Sequence, residues 1–154
     1  MNLKDKVIYV TGASLGIGYE IASELLKQDA KVVITARNKE NLDKAKNTLS
    51  KISNNVQAHA FDISDENELK KSMNNVYDHF GKIDGLVNNA PSIHPGMIKD
   101  MSLSQWKTNF KANLEGAFLT TNYILPKMME QKSGSIVNIS SVAAKAAKYA
   151  TAYY

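Results

Sequence analysis

A strand, a glycine-rich turn and a helix follow one another near the amino end of the chain. The apolar, mostly β-branched run from Val7 to Val10 indicates a buried strand. Gly12, Gly16 and Gly18 follow at once, and apolar residues then recur at the spacing of an amphipathic helix. The first backbone N–H groups of a helix have no partner within it and attract an anion. The stretch therefore predicts a phosphate site in which glycines let the ligand reach the backbone.

The rest of the chain alternates between predicted strands and predicted helices. The second helical pattern has an apolar face that extends to Ile52, and Ser64 or Asp65 is predicted to cap the third helix. A capping box at Ser102 and Gln105 opens one long helical region. This pattern predicts an α/β fold, a doubly wound parallel (Rossmann) sheet of at least five strands. The predicted strands after the first cover residues 31–36, 56–61, 83–87 and 135–139, and the periodic positions of the long helix are Trp106, Phe110, Leu114, Phe118, Thr121, Leu125 and Met128.

Polar or glycine residues stand just after each predicted strand. They are Gly12, Arg37, Asp62, Asn89 and Ser141. In open α/β sheets ligands bind at the carboxyl ends of the strands, near the point where the strand order reverses. Each residue alone could be an ordinary turn former, but the set predicts a nucleotide site. A serine nucleophile is not indicated, because the chain has no Gly-x-Ser-x-Gly turn.

Several of these motifs together resemble the short-chain dehydrogenase/reductase family. Thr11-Gly12-x-x-x-Gly16-x-Gly18 is similar to the family's glycine signature, and Asn88-Asn89-Ala90 is similar to its Asn-Asn-Ala-Gly motif, with Pro91 in place of the last glycine. The resemblance covers nearly the whole chain and is closest to the 3-oxoacyl-acyl-carrier-protein reductases. It implies an NAD(P)-dependent oxidoreductase that interconverts a ketone and a secondary alcohol by hydride transfer. The substrate would be a small carbonyl or alcohol, with acyl-carrier-protein-linked compounds among the candidates.

The candidate cofactor residues follow from the glycine turn and from this resemblance. Asp62 is expected to accept a hydrogen bond from the adenine amine, with Ile63 beside it, and Asn89 and Ala90 are expected to line the cofactor. A helix-start aspartate is the alternative interpretation of Asp62. The residues expected to hold the pyrophosphate are Gly12, Ser14, Leu15, Gly16, Ile17 and Gly18.

The end of the second strand bears on the choice between the two nicotinamide cofactors. An acidic residue there would bind a ribose 2′-hydroxyl, whereas this chain has Ala36 followed by Arg37. A guanidinium is suited to phosphate oxygens, so NADP(H) is predicted to be preferred, with NAD(H) possible. A solvated arginine at a helix start is the alternative interpretation. Many NADP-preferring relatives have a basic residue at the position of Leu15.

The resemblance also implies three catalytic residues. Asn113 would distort the long helix and order a water, and Ser141, with Ser140 as its neighbour, would bind the substrate oxygen. Tyr154 would be the acid–base residue, with Tyr153 as the alternative one position earlier. The family has a lysine four residues after the tyrosine, and the sequence stops before that position. Since a nearby cation lowers the pKa of a phenol from about 10, we expect this chain alone to lack ketone reduction.

These findings lead us to expect one dinucleotide-binding domain over residues 1–154 that lacks the C-terminal part of the family fold. Two other hypotheses are a truncated, non-catalytic dinucleotide-binding remnant and an interaction module that uses the exposed long helix. A homo-oligomer is expected if the parent chain is complete.

Composition adds expectations about partners and compartment. The net charge is +4 and the basic residues are scattered, so nucleic acid is not an expected partner. No apolar run approaches the roughly 18 residues of a membrane span. The chain has no cysteine, which rules out disulfides and thiolate metal sites and suits a cytoplasmic protein, and no metal site is expected. His59, His79 and His94 are interpreted as ordinary surface or core histidines.

Overall fold

Five parallel strands form one sheet within the residues that the structure, a computed structural model, describes, which are 2–92 and 96–145. The strands are β1 (Val7–Thr11), β2 (Lys31–Ala36), β3 (Val56–Ala60), β4 (Gly85–Asn88) and β5 (Ser135–Asn138). The helices are α1 (Gly16–Lys27), α2 (Lys39–Leu49), α3 (Glu66–Phe80), α4 (Leu103–Phe110) and α5 (Gly116–Glu130). A π-helical segment spans Lys111–Glu115, and short 3₁₀ turns span Ile98–Asp100 and Val142–Ala144.

The strand order β3–β2–β1–β4–β5 makes β1 the centre of the sheet. β1 pairs with β2 on one side and with β4 on the other, and all of its residues are buried. A strand covered on both faces is expected to be a continuous apolar run, as the run from Val7 to Val10 is. The strand order reverses at β1, which opens a crevice at the carboxyl ends of β1 and its neighbours. The predicted doubly wound α/β fold is confirmed.

Alternate residues of the central strands enter two separate cores, as the pleat of a strand requires. On one face Val10 and Ile34 pack with Ala22 and Leu26 of α1 and with Leu42 of α2. The residues of the opposite core come from β1, β2, β4, α3 and α5 and include Tyr9, Val33, Leu86, Leu69, Met73, Val76, Ile124 and Met128. The helices therefore cover both faces of the sheet at its central strands, whereas β5 stays largely exposed, with Val137 47% exposed.

The helix ends show which of the predicted signals the fold uses. Asp65, not Ser64, caps α3, and its carboxylate accepts hydrogen bonds from two backbone N–H groups. Gly81 ends that helix in the left-handed conformation, with φ +73°. The prediction that Ile52 lies on the apolar face of α2 is wrong. The helix ends at Leu49 and the chain turns, so that Ile52 is 41% exposed.

The long helical region is not one regular helix, and its buried side differs from the predicted apolar face. Phe118 is 63% exposed and Leu114 is 59% exposed, whereas the small residues Ala112 and Gly116 are buried. A Cβ added at Gly116 would lie 2.6 Å from Cγ2 of Ile63, so this face must be small to approach its neighbour. Close approach rather than apolar spacing therefore decides which side faces inward. The buried positions of the region are Asn109, Ala112, Gly116, Thr120, Ile124 and Met128.

Candidate functional site

The turn after β1 brings the backbone of Gly12 against Ala90, which follows β4 and Asn89. Gly12 has φ +66°, and a Cβ added there would lie 2.5 Å from Cα of Ala90. Most side chains avoid this left-handed conformation, and backbone atoms cannot move aside as a flexible side chain can. The turn is therefore restricted to glycine both by its own conformation and by its neighbour.

Gly18 leaves the space that the side chain of Asn89 occupies. A Cβ added at Gly18 would overlap Nδ2 of Asn89 and would lie 2.6 Å from the carbonyl oxygen of Gly12. Nδ2 of Asn89 donates hydrogen bonds to the carbonyl oxygens of Thr11 and Gly12, each at 3.0 Å. The hydroxyl of Thr11 accepts from the backbone N–H groups of Asn89 (2.9 Å) and Ala90 (3.1 Å). These bonds fasten the end of β4 to the glycine turn.

Helix α1 begins at this turn with an uncapped N-terminus. Leu15 is its N-cap residue, in an extended conformation, and provides no side-chain hydrogen bond to the first turn. The first turn of α1 also contains no acidic residue. Free N–H groups and the positive end of the helix dipole favour an anion at such an end. The residues present therefore fit a phosphate or diphosphate group.

A cleft of about 400 Å³ lies at this edge of the sheet. Its walls come from the glycine turn, the ends of β2, β3 and β4, and the π-helical segment. The residues that line it are Gly12, Ser14, Leu15, Gly16, Ile17, Thr35, Ala36, Arg37, Asn38, Phe61, Ile63, Asn89, Ala90, Pro91 and Ala112. The cleft is of the size that small-molecule and cofactor sites have, and it follows the crevice that the strand order creates.

Positive charge lies at one end of the cleft, near Asp62. Arg37 is exposed at the end of β2, and Asn38 beyond it caps α2 by accepting a hydrogen bond from the N–H of Asn41 at 2.8 Å. Partial burial raises the pKa of Asp62, but hydrogen bonds from Ser64 and the charges of Arg37 and Lys111 outweigh it and lower that pKa below its ordinary value. Asp62 therefore remains a carboxylate at neutral pH.

One oxygen of the Asp62 carboxylate is already used within the protein. Oδ1 accepts hydrogen bonds from the backbone N–H (2.9 Å) and the hydroxyl (2.7 Å) of Ser64. The side chain itself is exposed and does not line the cleft, whereas its neighbours Phe61 and Ile63 do. The apolar wall beside this carboxylate is thus supplied by Ile63, which packs against Gly116.

A buried polar network connects β4 to α5 and β5 behind the cleft. Oδ1 of Asn88 accepts from the hydroxyl of Thr120 at 2.7 Å. Nδ2 of Asn88 donates to Oγ1 of Thr121 (3.2 Å) and to Oδ1 of Asn138 (2.9 Å). Asn88 is 7% exposed, so these bonds satisfy polar atoms that water reaches poorly. The network holds three elements in one arrangement below the strand ends.

Asn113 lies at the middle of the π-helical segment. The helix is distorted there, as the resemblance implied, and π-helical turns are frequent at functional sites. Oδ1 of Asn113 accepts from the N–H of Ser92 at 2.7 Å, and its Nδ2 donates to the carbonyl oxygen of Ser92 at 2.9 Å. The amide therefore clamps the chain after Pro91 and does not line the cleft.

Of the other two predicted catalytic residues, the structure describes Ser141 alone. Ser141 follows β5, and its hydroxyl accepts a hydrogen bond from the N–H of Ala143 at 3.2 Å, which begins a 3₁₀ turn. Ser141 is not among the residues that line the cleft. Tyr154 and its alternative Tyr153 lie outside the described residues.

Most of the predicted cofactor residues meet in the cleft, and some residues that sequence reasoning missed join them. Thr35, Phe61 and Ala112 line the cleft without being predicted. The hydroxyl of Thr11 accepts a hydrogen bond from the N–H of Asn89 and so holds a residue of the cleft wall in place. Phe61 directly follows β3, and the strand-end rule could have found it. Ala112 carries no chemical signal in the sequence. The predicted residues that line the cleft are Gly12, Ser14, Leu15, Gly16, Ile17, Arg37, Ile63, Asn89 and Ala90, and those that do not are Gly18 and Asp62.

Residues 2–92 and 96–145 contain neither a cluster of metal-binding side chains nor a membrane-spanning helix. No cluster of three or more acidic, histidine or cysteine side chains in that part of the chain could hold a metal ion. Nor does any described helix combine the length and the apolar character that a membrane crossing needs.

Known proteins are similar to this chain over most of its length. The family model described as short chain dehydrogenase matches residues 6–154. An uncharacterized oxidoreductase of Staphylococcus aureus (strain USA300) is 36% identical over 140 residues, which are 91% of this chain and 60% of that protein. An uncharacterized oxidoreductase of Staphylococcus saprophyticus is 34% identical over 142 residues, 92% of this chain and 57% of that protein. The chain thus spans about three fifths of the length of these curated relatives.

A solved structure has the same fold. The crystal structure of a short chain dehydrogenase from Bacillus anthracis superposes with a TM-score of 0.93 at 29% sequence identity. The match covers 98% of this chain and 63% of the other protein.

Proposed function

Because the chain belongs to the short-chain dehydrogenase/reductase family, we propose that it belongs to an NAD(P)-dependent oxidoreductase that interconverts a ketone and a secondary alcohol. We expect the 154 residues alone, which stop before the position of the family's lysine, not to reduce a ketone. The uncapped N-terminus of α1 behind a turn restricted to glycine is the observation that carries the proposal. An anion of the size of a diphosphate is the ligand that such a turn accepts best. The nicotinamide, when bound, would supply or take up the hydride.

The cofactor would lie along the cleft with its pyrophosphate at the glycine turn. Gly12, together with residues 14–18, would offer backbone N–H groups, and the three glycines would leave the backbone at their positions uncovered by side chains. The adenine would lie against Ile63, where the Asp62 carboxylate still has Oδ2 free of any recorded partner in the described part of the chain. Asn89 and Ala90 would line the middle of the cofactor and keep the turn in shape.

Asn113, Ser141 and Tyr154 are the residues that we propose for the chemical step. Ser141 would hydrogen-bond the substrate oxygen, and the phenol of Tyr154 would deliver or remove the proton there. Asn113 would act through the distorted helix, where a water ordered at the π turn would take part in moving the proton. The substrate is proposed as a small ketone or secondary alcohol, and 3-oxoacyl groups on acyl-carrier protein are the subclass that the sequence resembles.

NADP(H) is proposed as the preferred cofactor because Arg37 lines the cleft at the end of β2. We expect NADPH to bind at least about tenfold more tightly than NADH, a difference of about 1.4 kcal/mol. Arg37→Ala should remove this preference by weakening NADPH binding while leaving NADH binding nearly unchanged, because only the 2′-phosphate loses a partner. Fluorescence titration of both nucleotides gives the dissociation constants.

Lys39→Ala is the matched control for that titration. Lys39 carries the same charge in the first turn of α2, but it pairs with Asp43 and does not line the cleft. Its loss should leave the ratio of the two dissociation constants unchanged. Equal affinities for NADPH and NADH in the unaltered protein would remove the role of Arg37. Failure to bind either nucleotide would favour the alternative of an interaction module.

We also propose that a second copy of the chain packs on the exposed apolar stripe of α4, the π-helical segment and α5. The stripe contains large apolar side chains that monomeric surfaces rarely collect on one helix face. Its members are Phe110, Leu114, Phe118, Leu125 and Met129.

Phe118→Glu should shift the protein towards the monomer in sedimentation velocity, because a charge would be buried between the copies. Ile98→Glu is the control, since Ile98 is 64% exposed and Phe118 63% exposed, but Ile98 lies outside the stripe. A monomeric unaltered protein, or an equal effect of both substitutions, would exclude the stripe as the contact between copies.

A further inference from the structure

Three side chains form a buried hydrogen-bonded chain on the side of the sheet opposite α1. The hydroxyl oxygen of Tyr9 in β1 lies 2.6 Å from Oγ of Ser72 in α3. Nδ1 of His59 in β3 lies 2.6 Å from the same Oγ. Tyr9 is 0% exposed and Ser72 is 4% exposed, while His59 is half-buried. None of the three residues lines the cleft, so the proposed reaction assigns them no role.

The hydrogens that Tyr9, Ser72 and His59 share in these hydrogen bonds fit one arrangement best. Tyr9 donates to Ser72, and Ser72 donates to an unprotonated Nδ1 of His59, so that both hydroxyl hydrogens have acceptors. In the opposite order, Nδ1–H of His59 donates to Ser72, and Ser72 donates to Tyr9. The buried hydroxyl hydrogen of Tyr9 then has no acceptor recorded within residues 2–92 and 96–145. A buried donor without a partner is costly, which favours the first order and the neutral imidazole.

The surroundings of His59 also oppose a positive charge there. Burial is the larger cause and the positive charge of Lys46 on α2 the smaller, and both lower the pKa of His59 below its ordinary 6.5. Across the ladder β2 presents the uncharged Thr35, which is in register with His59. From β1 and α3, the groups on the side of the imidazole are the hydroxyls of Tyr9 and Ser72, of which Ser72 contacts the ring. No carboxylate is recorded against the ring among the described residues.

We propose that the His59–Ser72–Tyr9 chain is an acid-sensitive latch, which holds β3 and α3 against β1 while His59 is neutral and weakens when His59 is protonated. A proton from solvent that binds Nδ1 forces the Ser72 hydroxyl to turn towards Tyr9. The Tyr9 hydroxyl is then left without an acceptor inside the core. Because β3 runs directly into Phe61 and Ile63, the latch links acidification to the wall of the cleft.

The sign of the pH dependence follows from the lowered pKa of His59. His59 binds a proton more readily in the unfolded chain than in the folded one. Its contribution to the free energy of unfolding is therefore fully present above about pH 6.5 and is lost as the pH falls below that value. Urea unfolding between pH 8 and pH 5 measures this. His59→Gln is the reference, because its side-chain oxygen still accepts a hydrogen bond from Ser72 but does not titrate. From pH 8 to pH 5, the unfolding constant of the unaltered protein should rise about threefold or more beyond the rise in His59→Gln.

His79→Gln is the matched control, since His79 lies on the neighbouring α3 but is exposed, and its ring contact recorded among the described residues is an edge contact with Phe80. It should keep the pH dependence of the unaltered protein. Tyr9→Phe should reduce that dependence, because no hydroxyl remains to lose its acceptor. Equal pH dependence of the unaltered protein and His59→Gln would overturn the latch.

A measurement on the unaltered protein avoids reliance on the folding of variants. The ring protons of His59 are followed by NMR from pH 8 to pH 5 in the native protein and in urea. The latch requires His59 to take up its proton at a lower pH in the native protein. Protonation at the same pH in both states, or at a higher pH in the native one, would exclude the proposal.

Discussion

Gly12→Ala should destabilise the protein by about 2–5 kcal/mol and abolish measurable NADPH binding. Part of the loss is conformational, because alanine must adopt φ +66°. The larger part is steric, since the new Cβ would lie 2.5 Å from Cα of Ala90, and a backbone atom can move only if the end of β4 moves with it. Such a shift would break the bonds between Thr11 and the chain after β4, which give the cleft its shape.

Gly81→Ala separates the two causes of that loss. Gly81 has φ +73°, close to that of Gly12, but no atom lies within 4 Å of an added Cβ. It ends α3, outside the cleft, so its substitution should cost only the conformational part, about 1–2 kcal/mol. NADPH affinity should not change. Urea unfolding and fluorescence titration of both variants give the comparison, and equal behaviour would show that contact with Ala90 is unimportant.

Asn88→Asp should destabilise the protein by about 2–4 kcal/mol at pH 7. The substitution keeps the shape but replaces the donor group that bonds Thr121 and Asn138 with a second oxygen. It also places a charge at a residue that is 7% exposed. Loss of this network would remove the side-chain bonds that join β4 to α5 and β5 and would leave the backbone pairing of β4 with β5 as the connection between the two strands.

The pH dependence of the Asn88→Asp effect identifies buried charge as its cause. A buried carboxyl group ionises less readily than one in the unfolded chain, whose pKa is about 3.9. The loss of stability relative to the unaltered protein should therefore grow as the pH rises from 5 to 7. Asn122→Asp is the control, because Asn122 is exposed on α5 and should tolerate the same change. A similar, small effect of both substitutions would contradict the role of the Asn88 network.

The sheet and the glycine turn could be predicted because their signals are local. A run such as Val7 to Val10 is apolar at every position, which indicates a strand buried on both faces. Alternation of strands and helices predicts a parallel sheet with right-handed connections, but more than one strand order satisfies these rules, and it is the structure that shows β1 at the centre. The residues after the strands then had to meet at one edge, as Gly12, Arg37 and Asn89 do in the cleft.

The long helix was harder because packing, not periodicity, chooses its inner face. Phe118 and Leu125 follow the apolar spacing but stay exposed, whereas Gly116 approaches Ile63 too closely for any side chain. Nothing local to the sequence reveals that contact. The hydrogen bonds among Tyr9, His59 and Ser72 are not predictable for the same reason, since three segments that are distant in the sequence supply them and the sequence alone gives His59 no partner.

The shared space at Gly18 and Asn89 makes these two positions mutually dependent in evolution. The amide of Asn89 occupies the volume that a methyl group at position 18 would need, and it supplies two of the bonds that shape the turn. A smaller residue at position 89 would lose those bonds and still would not make room at position 18, because an added Cβ would remain 2.6 Å from the carbonyl oxygen of Gly12. Neither single step preserves the turn, so both residues should persist together across long divergence.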